Sequence, residues 1–128
     1  MHSGFSALRY DCTMNVGVRV TPKPPSGALR LDIARIRELF AEGLSRFGGP
    51  YLAGDRFTAA DAFYAPVASR IRTYRPGVGA GQAWVDHILT HPAVQDWERQ
   101  ALTESWREES HEAELMAAGA ITADYRTA

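Results

Sequence analysis

A chain of 128 residues with 45% hydrophobic residues is long enough for one domain that buries a core. Its net charge of −1 argues against nucleic-acid binding through bulk positive charge. No stretch has the roughly 20 apolar residues of a membrane span, and the first residues do not resemble a signal peptide. The single cysteine, Cys12, excludes an intramolecular disulfide and favours a reducing, cytoplasmic setting.

The first segment, residues 1–16, has the apolar spacing of a helix. Phe5, Leu8 and Cys12 are separated by three and four positions, which places them on one helical face. Residues 17–27 are rich in proline, which cannot continue a helix, so we expect a linker there. Pro22 and Pro25 also form a PxxP spacing that suits a recognition domain, but so short a match favours a plain connector.

Two long helices are predicted in the middle of the chain. Residues 28–47 carry one unbroken apolar stripe that begins at Leu29. A second helix should run from Ala59 to about Tyr74, with Thr58 as its N-cap. Asp61, three residues on, completes a variant of the capping box, in which each residue bonds the other's backbone N–H. Pro66 inside this helix predicts a kink.

Three arginines, Arg70, Arg72 and Arg75, lie near the end of the central helix. Cations at a helix C-terminus complement the helix dipole. A phosphate-binding patch is the alternative interpretation of the same cluster. The glycine-rich loop of residues 76–81 follows no strand, so we interpret it as a turn and not as a phosphate-binding loop.

The last third of the chain predicts shorter helices. Residues 82–90 form one, a second extends from Pro92 to near Glu104 and buries Val94, Trp97 and Ala101, and a weak one lies around Leu115. Residues 119–128 should form a loose tail. The count of five or six helices without a sheet predicts an all-α bundle that forms one domain over residues 1–128.

No catalytic constellation is visible, and we predict no catalytic residue and no metal site. His87 and His91 are four residues apart, but no third ligand stands nearby. Cys12, on an apolar helical face, is interpreted as a small core residue and not as a reactive thiol.

The central segment GPYLAGDRFTAADA, which begins at Gly49, resembles the loop and capping box that open the sixth helix of glutathione S-transferases. Residues 1–8 resemble the fourth helix of bacterial, beta-class-like members, and residues 84–101 resemble the seventh and eighth helices. The resemblance covers nearly the whole chain. It implies the all-helical C-terminal domain of that family.

The resemblance also implies roles for individual residues. His2 corresponds to a family histidine near glutathione, and Ser3 stands where some members have a lysine, so both are candidate glutathione-binding residues. Phe5, Arg9 and Phe63 map to positions that face the cleft for the hydrophobic electrophile. Thr58 and Asp61 carry over as structural residues, and a homodimer through the first two helices is implied.

In that family a thioredoxin-like domain precedes the fourth helix and holds most glutathione contacts. Met1 falls inside the fourth-helix motif, so we expect a truncated chain, a proteolytic fragment, a misplaced start codon or a stand-alone domain. No conjugating activity is expected from this chain alone. Two functions remain open: the C-terminal domain of a glutathione-conjugating enzyme, or a stand-alone interaction scaffold like those attached to translation elongation factors and aminoacyl-tRNA synthetases.

Overall fold

The computed structural model describes residues 4–126 and contains, within them, six α-helices and a two-stranded sheet. The elements in chain order are α1 (Ser6–Asp11), β1 (Val18–Pro22), α2 (Gly27–Phe47), α3 (Ala59–Tyr74), α4 (Gln82–Ile88), α5 (Pro92–Thr103), α6 (Glu109–Ala118) and β2 (Gly119–Asp124), with a 3-10 turn (Gly79–Gly81) before α4. The predicted all-α helical bundle is confirmed, and the sheet is a small addition to it.

Helix α3 lies at the centre of the bundle. Its residues 67–71 are all buried, and five consecutive buried residues cannot share one face of a helix. This helix is therefore enclosed on several sides, and it continues through Pro66 without interruption. Phe40 of α2 joins it to α4, because its ring contacts Tyr64 at 5.7 Å and Trp84 at 4.6 Å between centroids.

Helix α1 is much shorter than the predicted helix over residues 1–16. It ends at Asp11, and Cys12 already has non-helical backbone angles, with φ −122° and ψ 67°. Its own N-cap, Phe5, makes no side-chain capping bond and has a φ of 56°. The cap comes from α2, since the Leu8 backbone N–H donates to the Asp32 carboxylate at 2.9 Å. A cap that is supplied from another helix is not visible in local sequence.

The expected linker over residues 17–27 and the expected loose tail over residues 119–128 both require correction. β1 and β2 pair as antiparallel strands, with Val18 opposite Asp124 and Pro22 opposite Gly119. The prolines of residues 17–27 led to the prediction of a linker. The same residues contain a short period-two pattern typical of a strand, in which Val18 and Val20 are buried and Arg19 is half-buried. The expectation of no sheet was therefore wrong. Residues 127–128 lie outside the described part of the chain.

Within the described residues, the helices do not include one whose length and apolar character would let it cross a membrane.

Candidate functional site

The Asp61 carboxylate organises the start of α3. Thr58 and Asp61 form the predicted capping box, and the Thr58 backbone N–H donates to Asp61 Oδ2 at 2.9 Å. The other oxygen, Oδ1, accepts from the Leu52 backbone N–H at 3.0 Å and from Trp84 Nε1 at 2.9 Å. Asp61 has 0% exposure. Thr58 and Asp61 are thus structural residues. Through Asp61, the loop that precedes α3 and the helix α4 are both attached to the first turn of α3.

A small apolar cavity of about 190 Å³ opens between α3 and α5. It is lined by Phe57, Ala62, Ala65, Pro66, Ala93, Val94 and Trp97. The aromatic ring of Phe57 stacks on His91, with 4.4 Å between centroids. His91 Nδ1 in turn accepts from the Ala93 backbone N–H at 3.2 Å and caps α5. The ring stack and the cap hold the two walls of the cavity together.

Phe63 follows Ala62 on α3, does not belong to the cavity lining, and is 69% exposed. Trp97, on the opposite wall, is 40% exposed. The sequence predicted that Trp97 would be buried, which is wrong, because its ring stands at the edge of the cavity. The two aromatic side chains make this face of the α3–α5 pair apolar and accessible.

The other two predicted substrate-binding residues lie on and beside α1. Phe5 is half-buried at the start of that helix, and Arg9 is exposed on it. Arg70 connects α1 to α3, since its Nε donates to the Cys12 carbonyl at 2.8 Å. Burial, followed by the positive charge of Arg9, lowers the pKa of Arg70. Phe63 precedes Arg70 by seven residues, which is two helical turns along the same face of α3.

The structure therefore places Arg9 beside Arg70, at one end of a face that carries Phe63 at the other end. Phe5, Arg9 and Phe63 do not belong to the lining of the α3–α5 cavity. The candidate glutathione-binding residues, His2 and Ser3, lie outside the described residues.

A larger cavity of about 560 Å³ lies between α1, the proline segment and α6, and its lining does not include Phe5, Arg9 or Phe63. Cys12 is on its wall but is only 3% exposed. Burial, followed by the nearby Asp11 carboxylate, raises the pKa of the Cys12 thiol to about 11. A buried, protonated thiol is a poor nucleophile, in agreement with a core role for Cys12.

Sequence reasoning missed the buried group formed by Ser69, Arg72 and Glu98. The Arg72 guanidinium donates to both Glu98 oxygens at 2.7 and 2.8 Å, and Ser69 Oγ donates to the same carboxylate. Glu98 lies 26 residues after Arg72 and 29 residues after Ser69, so the local sequence gave no signal of this group. Ser69 has no exposed surface, so the group joins α3 to α5 and does not form a nucleophile site.

Within residues 4–126, the ligand-type side chains do not form a group of three or more that could hold a metal. His87 and His91 both face the ring of Tyr51, at 4.8 and 6.4 Å between centroids. The pair belongs to an aromatic cluster beside the loop that precedes α3.

One comparison with known proteins gives a match. The model of the family described as "Glutathione S-transferase, C-terminal domain" matches residues 27–100, which is more than half of the chain and extends from the start of α2 into α5. No curated protein and no solved structure matches the chain.

Proposed function

This chain belongs to the glutathione S-transferase C-terminal domain family, and from that premise we propose that it supplies the electrophile-binding wall of a glutathione-conjugating enzyme. The observation that carries the proposal is the apolar cavity between α3 and α5, which Trp97 lines, together with the exposed ring of Phe63 on α3. Exposed aromatic rings beside an apolar cavity favour a small, flat, hydrophobic electrophile.

Conjugation needs groups that bind glutathione and lower the pKa of its thiol. The described part of this chain offers an apolar wall for the electrophile. We propose that a thioredoxin-like domain acts with this one and brings most of the glutathione contacts. His2 and Ser3 would add contacts to glutathione, and a cytoplasmic setting is part of the same proposal.

The wall can be tested on this chain without the conjugation reaction. Nitrobenzene, an unreactive aromatic of the proposed size, should shift the NMR signals of Phe57, Phe63 and the Trp97 indole. Phe63→Ala should weaken its affinity about fivefold, the scale of one aromatic contact. Phe47→Ala is the matched control, since Phe47 is an exposed phenylalanine at the end of α2. An equal loss in both variants, or shifts confined to other helices, would contradict the proposal.

The conjugation itself is tested with the protein joined to its thioredoxin-like domain. Phe63→Ala should raise the KM for an aromatic electrophile and leave the KM for glutathione unchanged, because Phe63 is proposed to contact the electrophile and not glutathione. An in-frame upstream coding sequence without a thioredoxin-like domain would count against this part of the proposal.

We further propose a homodimer through α1 and α2. Leu31 of α2 is 74% exposed, and Tyr10 of α1 is also exposed, so these two helices present apolar side chains that a partner subunit would cover. Leu31→Glu should shift the protein to monomer in sedimentation velocity, whereas Glu38→Gln on the same helix should not. A monomeric parent protein would contradict the dimer.

A stand-alone interaction scaffold is the second candidate function. Trp106, between α5 and α6, is 73% exposed and does not belong to the lining of the α3–α5 cavity. Tryptophan is enriched at the energetic centres of protein interfaces. If Trp106→Ala abolishes binding to a partner protein while Phe63→Ala leaves conjugation unaffected, the scaffold function is favoured.

A further inference from the structure

Three arginines surround one cavity at the C-terminal end of α3. Arg19 comes from β1, and Arg72 and Arg75 come from α3 and its C-cap. The cavity measures about 550 Å³, and Ile71, Val85 and Leu89 form an apolar part of its lining. Its lining shares no residue with that of the α3–α5 cavity.

The positive charges around this cavity are only partly neutralised. Arg72 is paired with Glu98, whose oxygens it contacts at 2.7 and 2.8 Å. Arg19 donates to the carbonyls of Val16 and Val18 at 3.1 and 2.8 Å. Burial, and then the nearby charge of Arg72, lowers the pKa of Arg19, and Arg75 acts in the same direction.

The side chain of Arg75 makes fewer interactions than those of Arg19 and Arg72. Within residues 4–126 its side chain makes no hydrogen bond and no ion pair. The single carboxylate in the cavity lining, Asp86, accepts a hydrogen bond from Gln82 at 2.8 Å. The cavity thus keeps an excess of positive charge and a guanidinium whose donors are uncommitted.

The helix dipole explains Arg72 better than it explains Arg75. Arg72 lies in the last turn of α3, where a cation is favoured. Arg75 follows the helix in a left-handed conformation, with φ 53° and ψ 40°, at a position that glycine usually occupies. Arg75 therefore combines a strained backbone conformation with charge repulsion from Arg19. Strained residues of this kind are concentrated at functional sites.

We propose that this cavity binds the phosphate monoester of a small organic molecule, with the phosphate at Arg19 and Arg75 and the organic part on Ile71, Val85 and Leu89. A phosphate dianion would relieve the repulsion between the arginines, and the planar guanidinium fork matches its oxygens. The volume is within the range of sites for small molecules. The site is independent of the electrophile wall and would be a second binding site on the domain.

The test is isothermal titration calorimetry of the full chain with phenyl phosphate, inorganic phosphate and phenol, at low ionic strength. Phenyl phosphate should bind more tightly than inorganic phosphate, and the heat given by phenol, an aromatic that suits the electrophile wall, should be the same in Arg75→Gln as in the parent. Arg75→Gln should weaken the binding of phenyl phosphate about tenfold, the scale of one charge-assisted contact. Arg46→Gln, an exposed arginine on α2, is the matched control and should bind as the parent does.

A second variant separates a binding role from a capping role. Arg75→Gly suits the left-handed conformation, so it should raise the melting temperature and abolish tight binding of phenyl phosphate. A lower melting temperature with binding unchanged would show that Arg75 serves only the helix end. Equal affinities for phenyl phosphate and inorganic phosphate, or an equal loss in Arg46→Gln, would also overturn the proposal.

Discussion

Asp61 is a carboxylate without exposed surface that accepts hydrogen bonds from three separate parts of the chain. Its partners are the Thr58 backbone, the Leu52 backbone and the Trp84 indole. The bond to Thr58 stabilises the first turn of α3, whereas the other two attach the preceding loop and α4. A buried acceptor that satisfies several donors is worth more than a surface cap, because its removal leaves those donors unsatisfied.

Asp61→Ala should lower the free energy of unfolding by about 3–5 kcal/mol, which combines a lost cap with unsatisfied buried donors. Asp61→Asn should lose less, since its amide oxygen still accepts from Leu52 and Trp84. Urea denaturation measures both. Asp55→Ala, an exposed aspartate in the same loop, is the control and should change stability by no more than about 0.5 kcal/mol. A melt of Asp61→Ala that matches the parent would contradict this account.

Cys12 predicts a loss of stability at alkaline pH. Its thiol pKa is about 11 in the folded protein and near the ordinary 9.0 when unfolded. The unfolded state therefore releases its proton first, and stability falls as the pH rises from 9 to 11. Burial, followed by the charge of Cys12, also raises the pKa of Tyr74, so Tyr74 adds an alkaline loss of stability that is smaller in a variant without the thiol.

Relative to Cys12→Ala, the parent protein should lose about 2 kcal/mol more between pH 8 and pH 11. The Cys12 backbone carbonyl still accepts from Arg70 in the variant, so the difference reports the thiol together with its effect on Tyr74. Urea denaturation at several pH values provides the measurement. Parallel stability curves for the two proteins would show that the thiol does not titrate as described.

At the scale of elements, helices with their own apolar stripe and cap were predictable from sequence. The predicted ranges of α2 and α3 agree with the structure to within a residue, because Leu29 begins a continuous stripe and Thr58 caps α3. β1 was missed, since its pattern is only five residues long and ends in proline. Features that depend on distant partners, such as the Asp32 cap on α1, have no local signal.

The site residues remain predictions. The resemblance placed Phe63 at the electrophile cleft and its side chain is exposed, whereas Trp97 was expected in the core and is 40% exposed. Helical periodicity indicates which residues share a face, and it does not indicate how closely a neighbouring helix covers the edge of that face. The cavity between α3 and α5 therefore became visible only when both helices were placed.

Two glycines of α2 should respond to alanine in opposite directions. A Cβ at Gly43 would lie 2.6 Å from the Leu52 carbonyl oxygen, whereas at Gly27 the nearest atom would be Arg30 Nη2 at 3.8 Å. Gly43→Ala should lower the free energy of unfolding by about 1–3 kcal/mol, because Leu52 is held by Asp61 and cannot retreat. Gly27→Ala should raise it by about 0.5 kcal/mol. Thermal melts of both variants measure the contrast, and a shift of the same sign would contradict it.

At the scale of the whole molecule, the two strands join the ends of the described chain. The Lys23 backbone N–H donates to the Ala118 carbonyl at 2.9 Å, and that of Tyr125 donates to the Gly17 carbonyl at 2.8 Å. These bonds continue the pairing of β1 with β2 by one residue beyond each end of the two strands. The sheet covers α3, with which β1 is in contact, so residues far apart in sequence close one side of the helical core.

At Gly119, the pairing of β1 with β2 leaves no space for an added Cβ atom. Gly119 directly follows α6, and a Cβ there would overlap the Thr21 carbonyl oxygen and lie 2.8 Å from Pro22 Cα. Both contacts are with backbone, so a flexible side chain cannot relieve them. Gly119→Ala should therefore separate the strands at this end, lower the free energy of unfolding by about 1–3 kcal/mol and speed amide hydrogen exchange in β1. Ala120→Ser, an exposed change one residue on, should leave exchange as in the parent, and unchanged protection in Gly119→Ala would mean that the sheet tolerates the extra methyl group.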